Sequence, residues 1–399
     1  MKTSKIIFHL DLDAFFAACE MAENPQYQSV PIVVAKNDVY KKSIILSPNY
    51  LARSYGIKTT MLTSEAIKLC PNVQIVEPNM HIYTNYSEKV FSYLSNINKK
   101  IEVASIDEAY MDVSDICQGT ETIDFAKRIQ NEIMNIFKLS ISIGIAPNKF
   151  LAKMASDMDK PFGITVLRKR ELSTKLWPIS ISKMNGVGKK TFPKLEAINI
   201  KTIGDLANFK DMDLLKKNVG SSHALSLYEK ANGIDESEVE YENYDKALSI
   251  SNSHTFENNI FDTTYLKKAL KSLANSIVYK MSQKGLKTQT VGLQIKFSDF
   301  RIISRSRALD YPTDDEYIIF KMLELILEDN LPDYFEVRLM GVFASRLVES
   351  NISKNQFDLF SNRELIDSKS KVHELVNDIK SRCGEDSIGI GIKKSDLER

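Results

Sequence analysis

Apolar residues recur along this chain with two periods. A period near 3.6 marks amphipathic helices over residues 62–69, 80–97 and 123–137. Short apolar runs, or alternation with period two, mark strands at 6–11, 43–47, 101–106, 110–113 and 139–146. Pro147-Asn148-Lys149 opens a helix through Met154, and the chain turns at 156–161. Pro48 opens a short helix that Gly56 ends. Residues 236–246 are polar and acidic and read as a linker. Beyond them, strand-like runs at 247–256, 289–297, 302–308 and 335–345 interleave with helices at 263–282 and 314–328. A last helical pattern covers 369–382.

Acidic residues stand where this pattern expects none. The runs 101–106 and 110–113 predict a hairpin with Asp107 and Glu108 at its tip. Adjacent carboxylates repel, so either a cation sits between them or water solvates both. Asp11 falls at the end of the first strand, where sheet-based sites usually lie. If that strand lies beside the hairpin, Asp11, Asp107 and Glu108 form an oxygen-rich cage suited to Mg²⁺. Two such ions are the usual apparatus of in-line phosphoryl transfer.

Other positions carry two readings each. Tyr50 and Arg53 are three apart on the short helix and share a face. Together they can hold phosphate oxygens, or they are a packing Tyr beside a surface Arg. Lys160 follows a helix end and precedes a Pro, as a phosphate contact or as helix C-terminal charge compensation. Gly186, Val187, Gly188, Lys189 and Lys190 form a turn before a helix, which can present N–H groups to a phosphate.

Composition changes this picture little. The chain has 399 residues, 43% hydrophobic and 26% charged, enough for two to four domains of ordinary globular profile. No apolar run approaches the ~20 residues of a membrane span. The N-terminus shows no signal-peptide pattern. Its four cysteines are scattered, without zinc spacing or a disulfide framework. A cytoplasmic monomer is expected. The net charge of +1 conceals basic stretches at 168–210 and 267–307, which are polyanion-binding faces or solvated helix faces.

Five motifs then bear on identity: LDLDAFFA, SPNYLARSYGI, SIDEAYMD, SIGIAPNKFLAKMASDMDKP and GVGKK. In order and spacing the chain resembles the Y-family translesion DNA polymerases, most closely the polymerase IV branch, over essentially its whole length. The resemblance implies an α+β multidomain right hand: a ferredoxin-like palm (1–10 and 78–166), small fingers (11–77) and a helical thumb with a helix-hairpin-helix (167–235). A linker (236–246), an α/β little finger (247–347) and a tail (348–399) follow. It implies template-directed addition of dNTPs to a primer 3′-hydroxyl, with low fidelity, in damage bypass. No acidic motif set is left over for a proofreading exonuclease.

The same resemblance assigns residues. Asp11, Asp107, Glu108 and the Leu12 carbonyl would hold two Mg²⁺, and Glu108 would also help activate the primer hydroxyl. Phe15, Phe16, Ser47, Tyr50, Arg53 and Lys160 would contact the nucleotide. Phe16 is the steric gate whose ring rejects a 2′-hydroxyl; on its own it would read as a core aromatic. The 186–190 turn, with Lys296, Arg301, Arg305 and Arg307, would hold the DNA backbone. Gln356, Leu359 and Phe360 look like the short peptide by which bacterial polymerases bind the sliding clamp, or like a patch folded onto the tail's own helix. Two departures from the pattern are Pro193, where a helix should run, and Phe162, where the family usually has a polar residue. The competing classes are a DNA- and clamp-binding protein without catalysis, which the three acids oppose, and a polymerase subunit dependent on accessory proteins.

Overall fold

The computed structural model of the chain describes residues 5–38, 42–117, 121–241 and 247–350. It forms two compact units, divided after residue 244. The clamp-peptide candidates Gln356, Leu359 and Phe360 lie outside the described residues.

The first unit carries strands β1 (Ile7–Leu12), β2 (Ile32–Val34), β3 (Ser47–Pro48), β4 (Gln74–Val76), β5 (Ile101–Val103), β6 (Glu108–Asp112), β7 (Ile141–Ala146) and β8 (Ile164–Val166). Its helices are α1 (Phe15–Glu23), α2 (Tyr50–Ser54), α3 (Thr63–Leu69), α4 (Met80–Ile97), α5 (Glu121–Phe137) and α6 (Lys149–Ser156), then α7 (Phe192–Glu196), α8 (Ile203–Ala207), α9 (Met212–Val219) and α10 (Ser221–Ala231). The main sheet has the order β5-β6-β1-β7-β8, and a small sheet has the order β3-β2-β4.

Every residue of β1 is buried. Phe8, Leu10 and Leu12 enter the core built with α1, α4 and α5, while Ile7 belongs to the core on the other side, shared with α6 and the later helices. Alternation along a strand therefore puts His9 and Asp11 on the α6 side. Gly144 of β7 faces the backbone of α6, where a Cβ would come within 2.0 Å of the Ala152 carbonyl oxygen. Only glycine lets α6 lie this close to the sheet. Side-chain caps set the helix starts: Asn79 accepts from the Ile82 N–H and Asn148 from the Leu151 N–H.

The structure shifts three expectations. Glu108 is not at a hairpin tip but is the first residue of β6, because it continues the ladder with Asp11. β1 runs through Leu12, so a fingers boundary at residue 11 would cut a palm strand. Residues 235–240 are strapped to this unit rather than free: the Glu240 N–H donates to Glu102, and the Phe150 N–H to Asp235. Pro193 sits in the first turn of α7, where its missing N–H costs nothing. Phe162 adopts a left-handed backbone, φ 58°.

The second unit is an antiparallel sheet of β9 (Ser249–Ile260), β10 (Leu286–Phe297), β11 (Ile302–Thr313) and β12 (Val337–Glu349), ordered β11-β10-β12-β9. Helices α11 (Thr263–Gln283) and α12 (Glu316–Asn330) cover one face through Leu266, Leu270, Leu323 and Leu327 against Val291, Leu293 and Ile295. β12 extends past residue 348, because its last residues still pair with Leu286 and Lys287.

Candidate active site

Register builds the site. Asp11 is opposite Glu108 on β6 and opposite Ser142 on β7. The Leu12 N–H donates to the Asp107 carbonyl at 2.9 Å, closing the strand end against the β5–β6 turn. A cavity of about 250 Å³ opens there, lined by Asp11, Leu12, Phe15, Phe16, Ser47, Tyr50, Arg53, Asp107, Glu108 and Lys160 among others. All the residues expected to hold metal or nucleotide thus face one space.

Asp11 is 6% exposed. Its Oδ2 meets the Lys160 Nζ at 2.7 Å, and Lys160 also reaches Asp157 at 2.9 Å. Burial, with Glu108 nearby, pushes the Asp11 carboxyl up to about 7 in spite of Lys160. Burial also works against ionisation of Glu108, but the His9 ring 3.6 Å away and the hydrogen bonds from Lys153 outweigh it and hold that carboxyl well below the usual range. Lys153 donates to both Glu108 oxygens, at 2.7 and 2.6 Å.

Asp107 is placed differently. It is half-buried at the turn, and its Oδ1 accepts from the Ser105 hydroxyl at 2.6 Å. Ligand atoms of His9, Asp11 and Glu108 lie within 4.8 Å of one another. Asp107 lines the same cavity outside that group.

His9, Asp13 and Lys153 complete the constellation, and sequence reasoning passed over all three. His9 is fully buried, with Nδ1 2.7 Å from the Ser156 hydroxyl. Its Nε2 has no hydrogen-bond partner among the described residues and lies 3.6 Å from Glu108. Burial lowers the imidazole's pKa. Alternation along β1 could have paired His9 with Asp11. Helical spacing could have placed Lys149, Lys153 and Ser156 on one face of α6.

On the other wall, the Arg53 guanidinium lies over the Tyr50 ring at 4.9 Å, and the Tyr50 hydroxyl reaches Asp13 at 3.4 Å. Burial beside Asp13 pushes the Tyr50 phenol up to about 12. Phe16 stacks on Tyr83 of α4, ring centroids 4.4 Å apart and nearly parallel. Phe15 is buried in the core, and the Ser47 hydroxyl accepts from the Ala17 N–H at 3.4 Å. Ala14, between the acids and the aromatics, is left-handed with φ 47°.

The expected DNA contacts are spread out. Gly186, Gly188, Lys189 and Lys190 are exposed before α7, while Val187 is anchored in the core. In the second unit the register pairs Lys296 with Ile302, but Arg305 with Leu293 and Arg307 with Val291. Arg305 and Arg307 therefore spring from the helix-covered face of the edge strand, and Arg307 is paired with Asp329. Arg301 lies over the Phe297 ring at 4.7 Å, and Lys296 over that of Phe300 at 4.5 Å.

A divalent cation suits this donor set. Two carboxylates and an unpartnered imidazole nitrogen converge, and each carboxylate is balanced by a lysine ammonium. A buried acid pressed towards protonation gains most from a cation beside it.

Comparison with known proteins follows the same lines. The impB/mucB/samB family profile matches residues 10–157, and its C-terminal domain matches 247–359. The thumb domain of DNA polymerase-iota matches 182–235. The DNA polymerase IV of Bacillus velezensis is 39% identical over 98% of this chain and 94% of its own length. DNA polymerase IV 1 of Bacillus subtilis is 37% identical with the same coverage. Among solved structures, a Y-family DNA polymerase chimera of Dbh and Dpo4 superposes with TM-score 0.76 at 28% identity, covering 86% of this chain and 99% of the other. An insertion ternary complex of Dbh DNA polymerase gives a TM-score of 0.63 at the same identity and coverage.

Proposed function

The chain belongs to the Y-family DNA polymerases, in the polymerase IV branch, and from that premise we propose how its residues serve the reaction. It is a DNA-directed DNA polymerase of the translesion type, acting on primer-template DNA and deoxynucleoside triphosphates. The observation that carries the site assignment is the Asp11–Glu108 register at the mouth of a cavity that also holds Tyr50, Arg53, Lys160 and Phe16.

In this reading Asp11, Asp107, Glu108 and the Leu12 carbonyl would hold two Mg²⁺. When bound, the ions neutralise charge on the attacking and leaving oxygens. The protein's own groups do the rest. Tyr50 and Arg53 bind triphosphate oxygens from the α2 side. Lys160, whose ammonium balances Asp11 in the free protein, trades that partner for a phosphate oxygen. Lys153 and His9 keep Glu108 ionised and orient it. Phe16, held flat by Tyr83, lies under the sugar and excludes a 2′-hydroxyl. Ser47 and Phe15 shape the wall behind the nucleotide.

The remaining assignments extend this reading. The 186–190 turn, with Lys296, Arg301, Arg305 and Arg307, grips the DNA backbone without reading sequence. Arg305 and Arg307 do so from the edge of their sheet. Gln356, Leu359 and Phe360 tether the chain to a sliding clamp. Palm, fingers, thumb, linker and little finger follow the limits given above, with β1 kept whole in the palm. The polymerase works as a cytoplasmic monomer.

The test is primer extension by the purified chain alone, with Mg²⁺, on undamaged and damaged templates. Extension is expected without accessory proteins. Asp107→Ala should abolish it while leaving DNA binding largely intact; undiminished extension by that variant would remove Asp107 from the site.

A further inference from the structure

We propose that Asp13 is a positioning residue of the nucleotide pocket. Its buried carboxylate fixes the Lys160 turn and the Tyr50 hydroxyl to the end of β1. The proposal rests on the polymerase reading and deepens it.

Asp13 is 2% exposed and is outside the Asp11, Glu108 and His9 group. Both its oxygens are occupied. Oδ2 accepts from the Ser140 hydroxyl at 2.7 Å, the Phe162 N–H at 2.9 Å and the Ser142 hydroxyl at 3.0 Å. Oδ1 accepts from Ser142 at 2.9 Å and from the Tyr50 hydroxyl at 3.4 Å. A carboxylate offers about four lone-pair sites, so little capacity is left for a metal. A buried carboxylate stays in place only because its donors satisfy it. Conversely, it draws together three stretches far apart in sequence: the start of β7, the turn after α6, and α2.

The turn needs such an anchor. Phe162 is held at φ 58°, a conformation that a residue with a Cβ adopts only when its surroundings enforce it. At Gly163 a Cβ would lie 1.6 Å from the Asp159 carbonyl oxygen, so the turn closes tightly on itself. Lys160 projects from this same turn to Asp11. Without the Asp13 acceptor, the Phe162 N–H loses its partner and the strained backbone relaxes. Both the ammonium and the phenol expected at the triphosphate then lose their reference point, and small displacements of such groups are costly in rate and affinity. Phe162 has no polar side chain to bond the left-handed backbone locally, so its turn depends on an outside acceptor.

The experiment compares the full-length enzyme with Asp13→Asn. Single-nucleotide insertion on a primed template gives KM and kcat. Binding of a dNTP to the enzyme on a dideoxy-terminated primer, with Ca²⁺, gives Kd apart from turnover. An asparagine can offer its amide oxygen to Ser140, Ser142 and the Phe162 N–H, but its NH₂ then takes the Oδ1 place, where it cannot accept from the Tyr50 hydroxyl, and the negative charge that holds these donors is lost. Kd and KM for the dNTP are expected to rise about tenfold, with a smaller fall in kcat and DNA affinity within about twofold. Unchanged Kd and KM would overturn the proposal, as would loss of kcat alone, which would assign Asp13 to the chemistry. The double variant Ser140→Ala/Ser142→Ala removes two donors without touching the carboxylate. It should raise Kd in the same direction by about threefold, and an unaltered Kd there counts equally against the proposal should Asp13→Asn fail to fold. A wild-type enzyme without primer extension would strike the polymerase reading itself; an active wild type with an indifferent Asp13→Asn would strike only this inference.

Discussion

Asp11 shows how one side chain can be both a stability cost and a functional asset. In the unfolded chain its carboxyl ionises near 3.8, and in the folded protein burial moves it to about 7. Between those values the folded state keeps a proton that the unfolded state has lost. Stability contributed by this group is therefore full below about pH 4 and falls as pH rises through 7. Asp11→Asn removes the dependence. In EDTA, the variant's free energy of unfolding should gain on that of the wild type between pH 5 and pH 8, by an amount on the order of a few kcal/mol. An equal difference at both pH values would show that Asp11 ionises freely in the fold. Asp11 was legible in the sequence because an acid ending an apolar run breaks the pattern. His9, Lys153 and Asp13 were not, because their meaning lies in partners 99, 45 and 149 positions away, at Glu108 and Phe162.

At the scale of elements, strong periodicity was read well. The 80–97 pattern is α4 itself, and the strands and helices of the second unit differ from expectation by a few residues at their ends. The weaker elements were not legible. Glu108 was placed at a tip because propensity favours a turn at two acids, yet pairing with β1 draws it into the ladder. The three-stranded sheet around β2 depends on parallel pairing with β4, which no local pattern announces. The proposed gate is also a property of elements. Phe16 on α1 is braced by Tyr83 on α4, whose hydroxyl donates to the buried Glu20 at 2.7 Å. Phe16→Ala should raise ribonucleotide incorporation relative to deoxynucleotide by about a hundredfold or more, since a steric exclusion is lost outright. An unaltered ratio in single-nucleotide insertion would refute the role.

The whole molecule joins a catalytic unit to a second unit whose basic stretch, at 267–307, is offset by acids further along, and to a tail. Basic stretches on a nearly neutral chain fit DNA held along particular faces, with affinity falling as salt rises. In the clamp reading proposed for residues 356–360, the peptide would add effective concentration rather than chemistry. Deleting residues 356–360 should abolish stimulation by a bacterial clamp in primer extension and spare basal synthesis; equal stimulation after deletion would remove that assignment. The fold and the acids were legible here because five motifs fixed both in order. The face from which Arg305 and Arg307 spring was not, because strand register decides it. The central claim is that carboxylates nearly a hundred positions apart jointly serve nucleotide transfer at the end of β1. The most direct test is the rate of single-nucleotide insertion by Glu108→Gln with saturating Mg²⁺ and dNTP. The predicted result is a loss of about a thousandfold or more with DNA affinity preserved; a rate within about tenfold of wild type would contradict it.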